Sequence, residues 1–379
     1  MDSTATLNRY LDLLREQNRN PTYISGEAAI NHAQSYQGNI ENFIGFAQVP
    51  IGLAGPLLLN GSAGTSKHWV PMATTEGALV ASYNRGIKAG SISGGFTSRT
   101  IANRVQRSPY FEFASLTDAL EFTTWLASME PILREHTRSA SRFAKLIGME
   151  TLLEGNGVHV TFSFETGAAA GQNMVTIATE YILKAVLAQS PKPPTLFYID
   201  ANMSGDKKAN LRSLSNVRGR KVISELNLRK DVIRDVLKSS AEKIAKLWQT
   251  GTISAVQAGA VGNPGHISNA LTAIFIACGQ DVACIAEAAV GISRVEAKPN
   301  GDLYASMTLP GLIVGTVGGG TSLPTQREAL ELMDCSAAED VEKFAEICCS
   351  VALAGELSIG AAIVEGHFVS AHKAHGRKG

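Results

Sequence analysis

Residues 159–174 read HVTFSFETGAAAGQNM, and this strand, turn and helix pattern decides the fold. Alternating apolar side chains predict a strand that ends near Phe164, and a helix is predicted directly after the glycine-containing turn. No G-x-G-x-x-G follows a predicted strand and no G-x-x-x-x-G-K-[ST] is present, which disfavours Rossmann and P-loop folds. The small residues would let a phosphate approach backbone N–H groups at a helix N-terminus. A turn that needs small residues for packing explains them equally well.

Residues 108–198, which surround this stretch, alternate between predicted strands and helices. Strands are predicted at residues 110–113 and 159–164, and a helix is predicted through residues 119–127. We therefore expect an inserted α+β domain in this part of the chain.

The flanking regions have different patterns. Residues 1–36 are polar with apolar positions at helical spacing, and residues 40–71 are rich in Gly, Pro and Val, which favours short strands and tight turns. A capped helix start is predicted at residues 74–82. Later helices are predicted at residues 231–248, at residues 268–278 and from about residue 340 to residue 374.

The composition excludes several classes of protein. The 379 residues include 34 basic and 34 acidic side chains and are 45% hydrophobic, so no net charge attracts nucleic acid or an anionic membrane. No apolar run reaches the roughly 18 residues of a membrane-spanning helix, and no leader segment is visible. The five cysteines form no C-x-x-C pair and lie mostly in apolar stretches of the sequence. We expect buried thiols in a cytoplasmic protein without nucleic-acid or membrane partners.

Three charged positions are candidates for chemistry. Lys207, in Asp206-Lys207-Lys208, belongs either to a solvated loop or to a site where a protonated Lys stabilises an oxyanion. Glu76 is either the acid of a helix first turn or a group whose pKa desolvation raises for proton transfer. Asp281 interrupts apolar text, so it is either a helix cap or a carboxylate that must be paired, with a Lys as the natural partner.

Three histidines, His367, His372 and His375, lie near the C-terminus. His372 and His375 would share a helix face, but there is no H-E-x-x-H and no third ligand at helical spacing, so we expect no metal site. A His near a mobile terminus is better suited to close over a site and donate a proton near neutral pH.

Taken together and in order, these segments resemble the 3-hydroxy-3-methylglutaryl-CoA reductase family, in particular its eukaryotic and archaeal branch. The resemblance runs from about Glu41 to the C-terminus. It rests on Glu41-Asn42-Phe43-Ile44-Gly45, Pro71-Met72-Ala73-Thr74-Thr75-Glu76-Gly77, Asp206-Lys207-Lys208, Gly279-Gln280-Asp281, Asp302-Leu303-Tyr304, Gly315-Thr316-Val317-Gly318-Gly319-Gly320-Thr321 and Leu353-Ala354-Gly355-Glu356-Leu357-Ser358.

The resemblance implies an NADPH-dependent reductive deacylation of an acyl-CoA by two hydride transfers. Glu76, Lys207, Asp281 and His372 fall on the four catalytic positions of the family. Lys207 would stabilise the oxyanion while Asp281 holds it, Glu76 would exchange protons with the intermediate, and His372 would protonate the departing CoA thiolate.

The resemblance also implies the ligand contacts. Ser141 and Arg142 match the pair that binds the ribose 2′-phosphate, which favours NADPH, and Gly171 and Asn173 match the cofactor turn and a ribose contact. The remaining matches are Arg107, Asp206, Lys208 and Asn269 around the acyl group and Ser82, Asn84 and Arg85 on the CoA side.

The fold implied by the resemblance is α+β. It has a short helical N-terminal element at residues 1–40 and a large helix-rich catalytic and CoA-binding domain at residues 41–108 and 199–379. Residues 109–198 would form an inserted, non-Rossmann, ferredoxin-like domain for NADP. The family further implies a homodimer with shared active sites, or a tetramer.

The sequence departs from the family pattern at three places. Ala168-Ala169-Ala170-Gly171 replaces Asp-Ala-Met-Gly, Thr250 stands at the Lys that pairs with the substrate carboxylate, and Asp200 replaces a small hydroxyl residue near that pocket. A hydrogen bond to a charged group contributes about 1.5 to 3 kcal/mol. Three hypotheses remain: reduction of 3-hydroxy-3-methylglutaryl-CoA, the same chemistry on another acyl-CoA, or a catalytically silent CoA-binding relative.

Overall fold

The computed structural model describes residues 3–16, 25–26 and 31–366. Within these ranges ten strands join into one sheet. The strands are β1 Ile51–Gly61, β2 Gly64–Ala73, β3 Phe96–Arg107, β4 Tyr110–Glu112, β5 Lys145–Glu154, β6 Gly157–Glu165, β7 Leu196–Tyr198, β8 Gly219–Leu228, β9 Ile292–Ala297 and β10 Leu303–Leu312.

The helices vary widely in length. The longer ones are α1 Ser3–Glu16, α2 Leu79–Ile92, α3 Leu116–Ala140, α4 Gln172–Gln189, α5 Ala241–Gln257, α6 Ile267–Ala277, α7 Pro324–Leu332 and α8 Val341–Val364. Shorter helical segments lie at Ala33–Tyr36, Arg212–Ser215, Lys230–Val232, Ile233–Leu237, Val282–Cys284, Ile285–Ala288, Gly319–Ser322 and Ala338–Asp340.

The sheet runs in the order β7-β4-β6-β3-β8-β10-β9, with β5 paired to β6 and β1 paired to β2 and β3. All of these pairs are antiparallel except β1 with β3. This mixture of helices with an antiparallel sheet confirms the predicted α+β class.

The centre of the sheet shows why these residues form strands. In β10 the alternate residues Leu303, Ala305, Met307 and Leu309 are buried, which matches the two-residue period of a strand with one face on a core. Together with neighbouring strands and helices they form the largest hydrophobic cluster.

Helix α8 lies in this cluster and is buried along most of its length. Gly86 of α2 packs directly on it, because a Cβ on Gly86 would lie 1.9 Å from the carbonyl oxygen of Ala354. Residues 338–364 are long and apolar enough to span a membrane, although 72% of their most apolar window is buried inside the molecule. The sequence predicted a helix here but no apolar run of membrane-spanning length, because Glu356 interrupts the run; the helix ends at Val364, before the predicted end near residue 374.

A second hydrophobic cluster lies between α3, α4 and one end of the sheet. Phe111, Phe122 and Phe162 are fully buried in it. The chain order here is β4-α3-β5-β6-α4-β7, and the strand order is β7-β4-β6-β5. A third, small cluster joins Leu7 and Leu11 of α1 to Phe43.

One predicted helix is interrupted. Instead of a single helix over residues 231–248, the segment Lys230–Val232 continues into a wider turn at Ile233–Leu237, and α5 follows. Lys238 adopts the left-handed conformation with φ 58°, and the hydroxyl of Ser240 then accepts from the backbone N–H of Lys243 to cap α5. The left-handed Lys238 therefore ends the first helical segment, and the Ser240 cap begins α5 as a separate helix.

The predicted start of α2 is also wrong. The hydroxyl of Thr74 accepts from the backbone N–H of Glu76 at 3.0 Å, which makes a local turn and not a helix cap. The helix begins only at Leu79, after Ala78 in the left-handed conformation with φ 68°. Glu76 consequently lies before the helix and not in its first turn.

Candidate functional site

Lys207 and Asp281 form an ion pair with 2.9 Å between Nζ and Oδ2. Their side chains are 46% and 44% exposed, so the pair is open to a ligand. The hydrogen bond to Asp281 raises the pKa of Lys207 above its ordinary value. The ammonium therefore stays protonated over the pH range in which enzymes work, as an oxyanion-stabilising group must.

Local structure fixes both partners. Lys207 lies in the turn after β7 with φ 56°, a left-handed conformation that needs outside support in a residue other than Gly. Asp281 precedes the short helix Val282–Cys284 and accepts from the backbone N–H of Ala283 at 3.0 Å. Both predicted roles of Asp281 are therefore present, because its carboxylate caps the short helix and also pairs with Lys207.

The support for Lys207 comes from a buried network that the sequence reading missed. Glu287 Oε1 accepts from the backbone N–H of Lys207 at 3.1 Å and from Arg218 Nε at 3.3 Å. Arg218 Nη2 also binds Asp206 Oδ1 at 2.7 Å, and Gln172 donates to the same oxygen at 2.9 Å. The Glu287 and Arg218 side chains are 0% and 2% exposed. The buried Glu287 and Arg218 therefore hold the turn that carries Lys207 in place.

Burial raises the pKa of the Glu287 carboxyl, and hydrogen bonds from Lys207 and Arg218 offset only part of that effect. The sequence did contain a signal for this residue, since an acid within Ile285-Ala286-Glu287-Ala288-Ala289 requires a partner. Its partners are 69 and 80 residues away along the chain, too far for any local pattern.

Asp206, Cys284 and Glu287 bring potential metal ligands within 4.8 Å of one another. Arg218 already pairs with both carboxylates. Burial raises the pKa of the Cys284 thiol to about 12. Asp206 and Glu287 thus hold a guanidinium, and the Cys284 sulfur lies 3.8 Å from Gln172 Nε2.

Arg107, which the resemblance places near the acyl group, belongs to the same region. Its Nη1 lies 2.5 Å from Asp200 Oδ2 and 3.5 Å from Asp206 Oδ2. Lys208 donates from Nζ to the backbone carbonyl of Asp206 at 2.9 Å. The structure thus gathers Arg107, Asp200 and the Asp206–Lys208 turn into one charged cluster.

A cavity of about 470 Å³ adjoins this cluster. Residues 169–174, 279–281, 315 and 317–321 contribute to its lining, and Asp281 and Asn173 are among them. Gly171 has φ 86°, and a Cβ there would lie 2.4 Å from Thr166, so only Gly fits. Helix α4 begins directly after it, which presents free backbone N–H groups to an anionic ligand.

Ser141 and Arg142, expected at a 2′-phosphate, do not line this cavity. The hydroxyl of Ser141 accepts from the backbone N–H groups of Phe143 and Ala144 in a local turn between α3 and β5. The Arg142 guanidinium is exposed and lies 6.0 Å from the centre of the Phe143 ring.

The expected CoA contacts form a separate polar cluster at α2 and α8. Arg85 donates to the hydroxyl and the carbonyl of Ser358 at 3.0 and 2.6 Å, and the Ser82 hydroxyl lies 3.2 Å from that of Ser358. Asn84 accepts from the backbone N–H of Gly55. These side chains join elements of the core in addition to any contact with a ligand.

His266 and Glu356 lie next to this cluster, and Asn269 follows on the first turn of α6. Glu356 accepts from His266 Nδ1 at 3.1 Å and from the backbone N–H groups of Gly265 and His266. Burial raises the pKa of the Glu356 carboxyl, but these hydrogen bonds outweigh it and lower the pKa overall.

Glu76, another predicted catalytic residue, has no described contact with Lys207. Glu76 is exposed, and among the described residues it makes no hydrogen bond or ion pair with Lys207 or Asp281. His372, with His367 and His375, lies outside the residues that the structure describes.

Comparison with known proteins gives consistent matches. The hydroxymethylglutaryl-coenzyme A reductase family model matches residues 6–377. A 3-hydroxy-3-methylglutaryl-coenzyme A reductase from Pyrococcus horikoshii is 42% identical over 346 residues, which cover 89% of this chain and 84% of that protein. One from Xenopus laevis is 38% identical and covers 89% of this chain and 39% of that protein.

The fold is also similar to that of a class II 3-hydroxy-3-methylglutaryl-CoA reductase from Streptococcus pneumoniae, whose structure was solved with NADPH bound in open conformations. The TM-score is 0.71 at 21% identity, with 94% of this chain and 97% of that chain covered. At this identity the likeness shows a shared fold.

Proposed function

We propose that this chain, which belongs to the hydroxymethylglutaryl-coenzyme A reductase family, reduces 3-hydroxy-3-methylglutaryl-CoA to mevalonate and CoA at the expense of two NADPH. The resemblance seen in the sequence is confirmed, including its archaeal and eukaryotic relatives. The observation that carries the proposal is the exposed Lys207–Asp281 pair, whose acid lines the glycine-rich cavity.

Lys207 stabilises the negative charge that develops on the thioester oxygen. Preorganised donors of this kind contribute most when they need not move during the reaction. Asp281 orients the ammonium, and Glu287 fixes the backbone that carries it. The same lysine serves both reduction steps, because each converts a carbonyl carbon into an sp³ carbon that bears an oxyanion.

Two further residues handle protons. Glu76 exchanges a proton with the oxygen of the intermediate, and His372 protonates the CoA thiolate as it leaves. These roles come from the family resemblance, and the exposed position of Glu76 leaves its carboxyl accessible to a substrate.

The cavity residues fit a nicotinamide dinucleotide, which supplies the hydride when bound. The free N–H groups at the start of α4 and the lack of a side chain at Gly171 suit a phosphate, and Asn173 is within the lining to meet a ribose. Arg142 is exposed and has its positive charge available for a 2′-phosphate, which favours NADPH over NADH.

The domain arrangement is proposed from the same resemblance. Residues 109–198 form the cofactor domain, and their βαββαβ order supports the ferredoxin-like description. Residues 1–40 form the N-terminal element, and residues 41–108 and 199–379 the large domain. Two chains share each active site in a homodimer, which fits the lack of a described contact between Glu76 and Lys207; dimers can pair into a tetramer. The free, buried cysteines support a cytoplasmic location.

The test is oxidation of NADPH by purified protein with 3-hydroxy-3-methylglutaryl-CoA, with mevalonate identified by mass spectrometry. NADH and a panel of other acyl-CoA thioesters run in parallel. Mevalonate formation is the expected result. Absence of NADPH oxidation with every thioester would overturn the proposal in favour of a silent CoA-binding relative.

A further inference from the structure

Arg220, at the start of β8, joins two segments that contribute to the lining of the glycine-rich cavity. We call residues 166–171 the cofactor turn and residues 314–318 the glycine loop. Arg220 Nη1 donates to the carbonyl of Val314 in the glycine loop at 2.5 Å, and Nη2 donates to the carbonyl of Gly167 in the cofactor turn. Arg220 is only 2% exposed, so one buried guanidinium links the two segments.

The partners of Arg220 differ from those of Arg218, which lies two positions earlier and pairs with Asp206 and Glu287. Arg220 forms no ion pair in the part of the chain that the structure describes. Burial lowers its pKa to about 10, and Glu342 opposes that change only in part, so the guanidinium is still protonated near neutral pH. A buried charge is costly unless hydrogen bonds compensate it, and here the two carbonyls do so.

The cofactor turn and the glycine loop are also in direct backbone contact. The backbone N–H of Thr316 donates to the carbonyl of Ala168 at 3.0 Å. A Cβ on Gly315 would lie 2.5 Å from the backbone nitrogen of Ala170. A shift of one segment against the other would therefore alter the cavity that both line.

The glycine loop is separately fixed to the segment that carries Asp281. Gln280 donates from Nε2 to the carbonyl of Gly315 at 2.9 Å, and its Oε1 accepts from the backbone N–H of Gly315 at 2.9 Å. Gln280 is 9% exposed and immediately precedes Asp281. Loss of Arg220 would thus loosen the cofactor turn while the glycine loop and Asp281 stay in place.

We infer that Arg220 is a positioning residue, which holds the cofactor turn against the glycine loop and so keeps the cavity in the shape that binds the dinucleotide. It acts through the backbone of Gly167 and Val314, since it is not part of the cavity lining. A guanidinium suits this task because its planar fork directs two donors at two acceptors, whereas an ammonium is a point charge on a flexible stem. The inference rests on the proposed function, which assigns the dinucleotide to this cavity.

The experiment measures the dissociation constant of NADPH, by nicotinamide fluorescence, for wild-type protein, Arg220→Lys and Arg220→Met. Arg220→Met should bind NADPH about 10- to 100-fold more weakly, because hydrogen bonds from a charged group to both segments are lost. Arg220→Lys keeps the charge but not the fork, so its affinity should lie between the two. In steady-state assays the KM for NADPH should rise in the same order, while kcat and the KM for 3-hydroxy-3-methylglutaryl-CoA change by less than about threefold.

Arg99→Met is the matched control, because Arg99 also donates to two backbone carbonyls. Its Nη1 lies 2.7 Å from the carbonyl oxygen of Asn60 and 2.6 Å from that of Ser98, and it is not part of the cavity lining. Its NADPH affinity should equal that of the wild type. Unchanged affinity in both Arg220 variants, or an equal loss in Arg99→Met, would overturn the inference.

Hydrogen exchange on wild-type protein keeps the test independent of how the variants fold. Peptides from the cofactor turn and the glycine loop should lose protection together as urea is raised below the unfolding transition, because Arg220 joins them. Early loss of protection in the cofactor turn alone would contradict the inference.

The same measurements distinguish failure of the inference from failure of the proposed function. Wild-type protein that binds NADPH but oxidises it with no thioester would overturn the proposed function, and the affinities of the variants would still decide the role of Arg220. Wild-type protein that binds no NADPH would overturn both.

Discussion

Lys207 and Glu76 differ in how many of their contacts a single chain supplies. The Lys207 ammonium pairs with Asp281, and the Lys207 backbone N–H donates to Glu287, which is fully buried. Glu76 is exposed, and in the described part of the chain its backbone N–H donates only to the Thr74 hydroxyl. The lysine proposed to hold a developing charge is therefore preorganised, whereas the acid proposed to exchange protons is exposed.

The largest effect is expected from removal of the preassembled cation. Lys207→Ala should lower kcat by about a thousandfold, because the oxyanion loses its charged donor, while CoA binding persists. Steady-state NADPH oxidation and calorimetric titration with CoA measure the two quantities. Lys184→Ala, at an exposed lysine of α4, is the control and should behave as wild type. Turnover unchanged in Lys207→Ala would refute the assigned mechanism.

The exposed acid should contribute less. Glu76→Gln should lower kcat by about a hundredfold, the usual contribution of a positioned acid or base, and leave the free energy of unfolding nearly unchanged because the side chain is exposed. Glu135→Gln, at another exposed acid, serves as control. A large loss of stability in Glu76→Gln would show that the acid is structural.

Substitution of the buried Glu287 distinguishes a role in positioning Lys207 from a general contribution to stability. Glu287→Gln should lower kcat about tenfold and the free energy of unfolding by about 1 to 3 kcal/mol, because a neutral acceptor holds Arg218 and the Lys207 backbone less strongly. Glu346→Gln is the matched control, since Glu346 is equally buried but binds the backbone N–H groups of Ser62 and Thr100. It should lose stability and keep its kcat. An equal fall in kcat in both variants would contradict a specific role for Glu287.

The smallest effect concerns stability alone. Glu356→Gln should lower the free energy of unfolding by about 1 to 3 kcal/mol at pH 7. The folded-state pKa of Glu356 is lowered, so its contribution is present above the unfolded pKa and is lost as the pH falls through the folded value. The difference between variant and wild type in urea titrations should therefore shrink below about pH 4.5. A difference that grows on acidification would contradict the lowered pKa.

The sequence predicted the α+β class, and it left Asp281 as either a helix cap or a carboxylate paired with a lysine, because periodicity and an acid in an apolar stretch are local signals. It missed Glu287 and Arg218, whose contacts join segments far apart in the chain. It also ran one helix through Lys238, where a left-handed residue and a Ser240 cap divide the segment. The local sequence is typical of a helix on both sides of Lys238 and does not indicate where the helix is interrupted.

The stoichiometry of NADPH oxidised per CoA released tests the central claim most directly. Purified protein would be supplied with 3-hydroxy-3-methylglutaryl-CoA and excess NADPH, with nicotinamide absorbance and free thiol followed together. Two NADPH per CoA, with mevalonate as the product, is the result expected if the Lys207 site performs both reductions. CoA release without matching NADPH oxidation would contradict a reductase.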